Sequence, residues 1–472
     1  MRITPLLACV LVLAAGCRDD GTGPSENRVA SIRLSQTAAP LDDGATLQLT
    51  AEPLDRGGRV LPAGTVRLAW SSSDEAIATV ADGLVTGRRP GVARITATVR
   101  QVSATAEVTV RPVPQALGAV AGAAQEGIAG MAAPHEIVVL LTDRHGGGVP
   151  GVAVEFVVVK GGGTVTPATA QTDAQGRARA AWTFGKVAGE NVLEARAAGR
   201  SMAPAVFAAT AKAGAPARLE KLAGDAQQGT AASQLPLPLV VKVMDANGNP
   251  VAGASVAWRC TSGGSHAPDV SVTDVAGEAR ATWMLGPGAG VQAMEARVEG
   301  SEAAAVQFSA NAGVGAAARL EKVSGDNQEA TVTRPLPEPL VVRVVDAPGN
   351  PLPGIKVSWK LFYGGGTVAP AESVTDAQGY ARATWTLGTI MAHHRLEVRA
   401  VETALPPVTF TALARVGAAA AVAKHGGDGQ ESEVGYTLPT PLVVRVTDAH
   451  GNPVTGVPVQ WSGTGSMKSA ET

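Results

Sequence analysis

The sequence of 472 residues has few aromatic side chains, little charge and few cysteines. Aromatic residues make up 3% and charged residues 17%, and Lys+Arg 39 nearly balance Asp+Glu 41. This balance excludes the basic footprint of a nucleic-acid-binding protein, so no nucleic-acid partner is predicted. A hydrophobic content of 45% is too high for a disordered chain. The length exceeds one ordinary core and predicts roughly three to five domains.

Motifs that carry chemistry are also missing from the sequence. It has no Ser/His/Asp order of a hydrolase, no Gly-rich phosphate loop and no Cys-x-x-Cys pair. We therefore predict a protein without enzymatic activity, catalytic residues, cofactor or metal. Abundant glycine and proline (Gly 56, Pro 31) instead favour many tight turns between short strands.

The N-terminus has the features of an export signal. Arg2 precedes the apolar run 6–15, which is too short to span a bilayer, and Ala14-Ala15-Gly16 leads into Cys17. This segment resembles the lipobox of bacterial lipoproteins, in which a peptidase cleaves before a diacylated cysteine; Ala14 stands where leucine is commoner. The alternative is an ordinary cleavage site beside a cysteine. The resemblance implies a lipid anchor at Cys17, and Arg18 in place of aspartate implies the outer membrane.

Internal repeats dominate the exported part of the chain. A turn motif recurs with offsets of about 100 residues, and its glycine and asparagine (Gly248 and Asn249 in one copy) predict positive φ there. In each of the three complete repeats a second motif, Thr-Asp-x-x-Gly, comes after the first one. A large aromatic residue recurs after each of the two motifs. The first motif begins at Asp143, Asp245, Asp346 and Asp448, the second at Thr172, Thr273 and Thr375.

Strand patterns surround these motifs. The β-branched run 239–243 is bounded by prolines and a turn, and beyond the turn Val256 and Trp258 alternate with small residues, so their side chains point inward. Ala279, Ala281 and Trp283 alternate in the same way. No stretch has sustained helical periodicity. The sequence therefore predicts an all-β fold of tandem sandwiches of about 100 residues each.

Two known families resemble these segments. Residues 29–110 resemble a bacterial immunoglobulin-like (Ig-like) domain of group 2, through Trp-Ser-Ser-Ser-Asp, Ile-Ala-Thr-Val and Gly-x-Val-Thr-Gly type motifs. The later repeats resemble the group 1 domains of invasin and intimin, through Asp-x-x-Gly-Asn-Pro-Val-x-Gly and Thr-Asp-x-x-Gly. The first copy departs from this pattern with Gly146-Gly147-Gly148, which is expected to loosen its turn. The resemblance implies a rod of Ig-like domains, on the order of 150 Å long for four complete domains.

The predicted division of the chain follows from these features. The last copy lacks the second turn and the closing strand, and we expect it to be the truncated part of a longer parent. The predicted segments are a lipoprotein signal peptide (1–16), a tether (17–27), a group 2 domain (28–112), group 1-like domains (113–213, 214–314 and 315–417) and a truncated group 1-like domain (418–472).

A few residues have side chains that could bind a metal ion or react. His393-His394 is the only histidine pair, and neighbours on a strand point to opposite faces, so a solvated loop pair is favoured over a metal site. The Asp245-x-Asn247-x-Asn249 spacing resembles a calcium loop but lacks its twelfth-position acid, which favours an ordinary turn; calcium between domains is left open. Cys260, alone in the exported part, is interpreted as a small buried hydrophobe.

The combined features predict a non-enzymatic cell-surface lipoprotein, exported and anchored in the membrane through Cys17. Its Ig-like stalk would serve adhesion, binding a glycan, matrix or cell-surface protein ligand, or would present a distal module. Two alternatives stay open: a spacer within a larger surface enzyme, and a purely structural envelope protein.

Overall fold

The computed structural model describes residues 29–465, and the predicted signal peptide, Cys17 and the tether lie outside this range. All helical or extended elements assigned within this range are β-strands, and no helix is among them, which confirms the all-β prediction. The chain forms two compact units. One reaches to Gly214 and includes Asn247–Asn249; the other comprises Ala215–Ala246 and the chain from Pro250 onward.

The first sandwich belongs to the first unit and has sheets in the orders β2-β9-β8-β5, β3-β7-β6 and β1-β4. Alternation explains its longest strands: along β8 the side chains of Ala93, Ile95 and Ala97 are buried while those between them are more exposed. Its strands are β1 (Ser31–Leu34), β2 (Ala38–Asp42), β3 (Thr46–Gln48), β4 (Ala51–Leu54), β5 (Ala69–Ser72), β6 (Ala78–Ala81), β7 (Leu84–Gly87), β8 (Gly91–Val99) and β9 (Val102–Arg111).

The second sandwich completes the first unit with a four-stranded sheet, β10-β12-β16-β14, and a five-stranded sheet, β11-β18-β17-β13-β15. The pairing of β11 with β18 is parallel, and every other pairing in the two sheets is antiparallel. Its strands are β10 (Ala116–Ala121), β11 (Gln125–Ile128), β12 (Ile137–Thr142), β13 (Ala153–Lys160), β14 (Gly163–Thr166), β15 (Thr169–Gln171), β16 (Arg177–Phe184), β17 (Gly189–Ala197) and β18 (Ala205–Lys212).

The third sandwich repeats this topology, with sheets β19-β21-β25-β23 and β20-β27-β26-β22-β24. Its first short strand, β20, again pairs in parallel with the closing strand β27. Its strands are β19 (Arg218–Ala223), β20 (Gln227–Thr230), β21 (Leu239–Met244), β22 (Ser255–Cys260), β23 (Ser265–Ala267), β24 (Val270–Val272), β25 (Glu278–Met284), β26 (Gly290–Val298) and β27 (Val306–Gly313).

The fourth sandwich has the same arrangement, and a two-stranded sheet follows it. The sheets are β28-β30-β34-β32 and β29-β36-β35-β31-β33, and then the antiparallel pair β37-β38. The strands are β28 (Arg319–Ser324), β29 (Gln328–Thr331), β30 (Leu340–Val345), β31 (Lys356–Tyr363), β32 (Gly366–Ala369), β33 (Glu372–Val374), β34 (Tyr380–Leu387), β35 (His393–Ala400), β36 (Val408–Arg415), β37 (Ala419–Gly426) and β38 (Val443–Asp448).

A few large aromatic residues surrounded by alanines fill each repeated core. In the fourth sandwich Trp359, Trp385 and Phe410 are buried beside alanines such as Ala381 and Ala383. Trp359 and Phe410 pack with ring centroids 6.2 Å apart. Because alanine leaves room for an indole ring across the sandwich, these cores need few aromatic residues in all. The inward orientation predicted for Trp258, Trp283 and the alanines of β25 is confirmed.

Candidate functional site

The repeated Asp-x-x-Gly-Asn-Pro turn is the candidate site, and it follows β21, β30 and β38. In the fourth sandwich the Asp346 carboxylate closes the turn by accepting hydrogen bonds from the backbone N–H groups of Gly349 (2.9 Å) and Asn350 (2.7 Å). Gly349 has φ +104°, a conformation that glycine adopts without strain. In the earlier copy Gly248 also has positive φ, but Asn249 does not, so that part of the prediction was wrong.

The other oxygen of Asp346 ties the turn to the start of its own sandwich. Oδ2 accepts hydrogen bonds from the backbone N–H of Gly315 (2.9 Å) and from the Asn350 side-chain amide (3.0 Å). Burial opposes ionisation of this carboxyl, but the hydrogen bonds from Gly315, Asn350 and Gly349 outweigh it and hold its pKa below the ordinary value. Asp346 is therefore an ionised anchor whose acceptor sites are filled by the chain itself.

Asp448 repeats this geometry around the last turn. It accepts hydrogen bonds from the backbone N–H groups of His450 (2.8 Å), Asn452 (2.9 Å) and Gly417 (3.1 Å), and from the Asn452 amide (2.8 Å). Burial opposes ionisation here too, and these hydrogen bonds lower the pKa of Asp448 well below its usual range. Both carboxylates thus act as turn-closing acceptors. Within residues 29–465 no group of three or more His, Cys, Asp or Glu side chains is placed to hold a metal ion.

The asparagine of the turn reaches beyond its own sandwich. The Asn350 amide donates to the carbonyl of Pro287 (2.7 Å), and its Oδ1 accepts from the backbone N–H of Ala289 (2.9 Å). One side chain therefore satisfies a donor and an acceptor on the loop between β25 and β26, as a neighbouring strand would. All three residues lie in the second compact unit.

Asn452 makes the same pair of contacts one repeat later. Its amide donates to the carbonyl of Thr389 (2.8 Å) and its Oδ1 accepts from the N–H of Met391 (3.1 Å), on the loop between β34 and β35. The turn of one repeat is thus held by the loop of the repeat before it. We call this arrangement of turn asparagine and preceding loop the joint.

A different joint occurs in the first unit, where the turn has glycines in place of Asn and Pro. Arg144 donates to Oδ1 of Asp43 (2.5 Å), and His145 Nε2 lies 3.0 Å from Oδ2 of the same carboxylate. Arg144 also donates to the carbonyl of Arg88 (3.2 Å). The Asp43 side chain is only 1% exposed. Here the second sandwich is joined to the first through contacts with a carboxylate, instead of through the side-chain amide of an asparagine.

The second repeated motif stabilises the turn from inside its own sandwich. The buried Thr375 hydroxyl donates to the carbonyl of Leu352 (2.6 Å) and accepts from the N–H of Ile355 (2.8 Å). The next residue, Asp376, closes its own turn by accepting from the N–H groups of Gln378 and Tyr380. Thr172 and Thr273 make the equivalent contacts in their sandwiches. The Thr-Asp pair therefore holds two turns together.

The strand order, the buried tryptophans and these turns can be compared with known families. Residues 28–110 match the bacterial Ig-like domain (group 2), and residues 221–311 match the bacterial Ig-like domain (group 1). Residues 28–110 and 221–311 are thus bacterial Ig-like domains. The second and fourth sandwiches share the sheet orders of the group 1 domain matched at 221–311.

Several solved structures are similar to these Ig-like domains. The Escherichia coli adhesin FdeC is 20% identical, with 64% of this chain and 99% of FdeC covered and a TM-score of 0.39. Invasin, a bacterial integrin-binding protein, is 14% identical, with 84% and 80% covered and a TM-score of 0.38. InvD of Yersinia pseudotuberculosis is 16% identical, with 62% and 96% covered and a TM-score of 0.37. A search of curated proteins finds no match to the chain.

A buried polar side chain supports the loop between the seventh and eighth strands in each of the three repeated sandwiches. The three residues occupy the same position in the repeat, since 292 − 191 = 101 and 394 − 292 = 102. Each accepts a hydrogen bond from a glycine N–H at the start of the loop. The residues are Asn191, Gln292 and His394, and their donors are Gly185 (3.1 Å), Gly286 (2.6 Å) and Gly388 (3.4 Å).

The sequence reasoning missed this position. The pair His393-His394 was interpreted as a solvated loop, whereas both residues belong to strand β35 and His394 is fully buried. The prediction that the two side chains point to opposite faces is correct, because His393 is exposed. Aligning the repeats would have found the site, because a polar residue recurs there two positions before the first apolar inward residue of the strand.

Cys260 lies beside a histidine and an aspartate, the residue types that accompany a catalytic cysteine. Its Sγ lies 3.4 Å from Nδ1 of His266, whose Nε2 lies 3.3 Å from the exposed carboxylate of Asp269. Burial raises the pKa of the Cys260 thiol, so the thiol stays protonated at neutral pH. The thiol is half-buried at the end of β22, which fits a structural role on a strand.

Within residues 29–465 no helix is long and apolar enough to cross a membrane. Cys17, the predicted lipidation site, lies outside the described residues.

Proposed function

We propose that this protein is a non-enzymatic lipoprotein of the bacterial cell surface, exported and anchored in the outer membrane through Cys17. Its Ig-like domains, divided as predicted from the sequence, form a stalk between the anchor and a distal binding surface or module. The stalk serves adhesion to a glycan, matrix component or cell-surface protein.

The joint is the observation that carries the stalk role. Asn350 and Asn452 each satisfy a carbonyl and an N–H on the preceding loop, at distances of 2.7–3.1 Å. Two hydrogen bonds in opposite senses restrict both the position and the rotation of the turn against that loop. Such restriction is what a spacer needs, because a freely jointed chain would let its tip collapse toward the membrane.

The composition of the sandwiches supports a passive role as well. Several exposed charges pair with neighbours of the same domain, such as Glu397 with Arg399 (2.6 Å) and Glu329 with Arg415 (2.7 Å). Buried polar side chains such as Asp346, Thr375 and Gln292 close turns and brace loops within the sandwiches. Catalysis has no part in this proposal.

The anchor is tested by replacing each of two cysteines. Cys17→Ser in the expressing bacterium should abolish incorporation of radiolabelled palmitate and move the protein from the membrane fraction to the soluble fraction. Cys260→Ser is the matched control and should leave both unchanged. Membrane retention and labelling of the Cys17→Ser chain would contradict the anchor.

Adhesion is tested with the same pair of strains. Cells carrying the Cys260→Ser chain should adhere to wells coated with mucin, collagen or fibronectin more strongly than cells carrying Cys17→Ser, which release the protein. Equal adherence on every coating, with the protein exposed on the Cys260→Ser cells, would refute the adhesive role.

A further inference from the structure

His394 differs from its counterparts in the repeat because it can gain a proton. The imidazole is fully buried, and its ring centroid lies 6.3 Å from that of Trp385. Its Nε2 lies 2.7 Å from the carbonyl oxygen of Ile390, and its Nδ1 accepts the N–H of Gly388 at 3.4 Å. Both ring nitrogens therefore face backbone groups of the loop between β34 and β35.

These two contacts require the neutral ring. A carbonyl oxygen only accepts, so Nε2 must carry the hydrogen, and a backbone N–H only donates, so Nδ1 must be bare. A second proton would place an N–H at Nδ1 directly against the N–H of Gly388. Gly388 cannot move closer to Gly364, because the two are already in close contact: a Cβ built on Gly388 would lie 2.0 Å from the Gly364 carbonyl oxygen. Relief therefore requires the loop to move outward.

The same loop holds the next repeat. Ile390, which bonds His394, lies between Thr389 and Met391, which bond the two ends of the Asn452 amide. A displacement of the loop that relieved a protonated ring would move both partners of Asn452. All five groups belong to the second compact unit.

We propose that His394 makes the joint at Asn452 acid-sensitive: protonation of the ring expels the loop 388–391 and releases the turn that Asn452 anchors. The joint is closed at neutral pH and opens as the pH falls, while the sandwich itself remains folded.

The surroundings of the ring contain nothing that would favour its charge. On its own strand the titratable neighbours His393 and Arg395 point to the opposite, exposed face. The register partner of His394 on β36 is Ala412. On β31 the adjacent register position holds Tyr363, which is largely exposed, and β34 contributes Trp385. No carboxylate faces the imidazole among the described contacts, so the added charge would stay uncompensated.

The preceding repeat provides a joint that cannot respond to pH in this range. There Gln292 accepts the N–H of Gly286 (2.6 Å) and donates to the carbonyl of Gly288 (2.6 Å), bracing a loop that holds Asn350. Glutamine supplies the same donor and acceptor as the neutral imidazole but does not titrate. His394→Gln and Gln292→His are therefore reciprocal variants that exchange the titratable group between the two joints.

The test is hydrogen exchange measured by mass spectrometry on the full-length chain in detergent solution at pH 7.5 and pH 5.0, corrected for the intrinsic pH dependence of exchange. Peptides covering 387–392 report the loop under His394, and peptides covering 285–290 report the loop under Gln292. Opening that lets the ring take up a proton is favoured by up to about tenfold for each unit by which the pH falls.

In the native chain we expect protection of 387–392 to fall at least about tenfold at pH 5.0 while 285–290 stays unchanged. His394→Gln should remove the effect, and Gln292→His should create it at 285–290. Unchanged protection of 387–392 in the native chain, or an equal loss in His394→Gln, would overturn the proposal. If His394→Gln fails to fold, the native chain and Gln292→His still decide the question.

Discussion

Removing the Asn350 side chain should loosen one joint while leaving both neighbouring sandwiches folded. Asn350→Ala deletes the hydrogen bonds to Pro287 and Ala289 across the joint, together with the amide bond to Asp346 within its own turn. A hydrogen bond of this kind contributes about 0.5–1.5 kcal/mol net, so the pair contributes about 1–3 kcal/mol to the closed joint. That free energy corresponds to a change of roughly 5- to 150-fold in the ratio of closed to open joints.

Spin labels at equivalent positions of consecutive sandwiches measure this change. Val272 and Val374 are exposed and occupy the same place in the repeat, so nitroxides there, in a chain whose cysteines are replaced by serine, report the distance across the joint. In Asn350→Ala the distance distribution from double electron–electron resonance should broaden and shift. Asn311→Ala removes an exposed amide from the same pair of sandwiches and should leave the distribution unchanged.

The result that would refute this reasoning is an unchanged distribution in Asn350→Ala. It would mean that the two hydrogen bonds only follow an orientation imposed by other contacts. A loss of the tryptophan fluorescence signature of the folded sandwiches would instead mean that Asn350 is needed for folding.

Two further predictions concern the turn itself. Thr375→Val should lower the free energy of opening of β34 by about 1–3 kcal/mol, because a buried carbonyl and an N–H lose their partner. The exposed control Thr384→Val should change this free energy by less than about 0.5 kcal/mol. Equal effects of the two variants in hydrogen exchange would contradict the role of the buried hydroxyl. Asp346 has a lowered pKa, so its stabilising contribution is complete above about pH 4 and is lost as the pH falls through the folded-state value. Asp346→Asn should therefore flatten the acid dependence of protection at 346–350, and an undiminished dependence would show that another group causes it.

Most of the fold could be predicted because its signals are local. Alternation along strands such as β25, and turn motifs repeated about every 100 residues, depend only on the residue and its near neighbours in sequence. The inward positions of Trp258 and Trp283 follow from period-two alternation alone. The domain family was identifiable for the same reason, since its motifs are the turns.

The joints could not be predicted from such local signals. Asn350 was identified as a turn residue, but its contacts with Pro287 and Ala289, 63 and 61 residues away, depend on how one repeat packs against another. Asp43 and Arg144 are separated by 101 residues, and nothing in either local sequence marks them as partners.

His394 illustrates which features the sequence determines and which depend on the tertiary structure. The sequence by itself determined that His394 and His393 point to opposite faces, because consecutive side chains alternate along an extended strand. Which face is the interior, and that the buried ring meets one loop through both of its nitrogens, was decided only by the tertiary structure. The same holds for the molecule: local chemistry determines strands, turns and repeat length, whereas burial and long-range hydrogen bonds exist only once the sheets have packed.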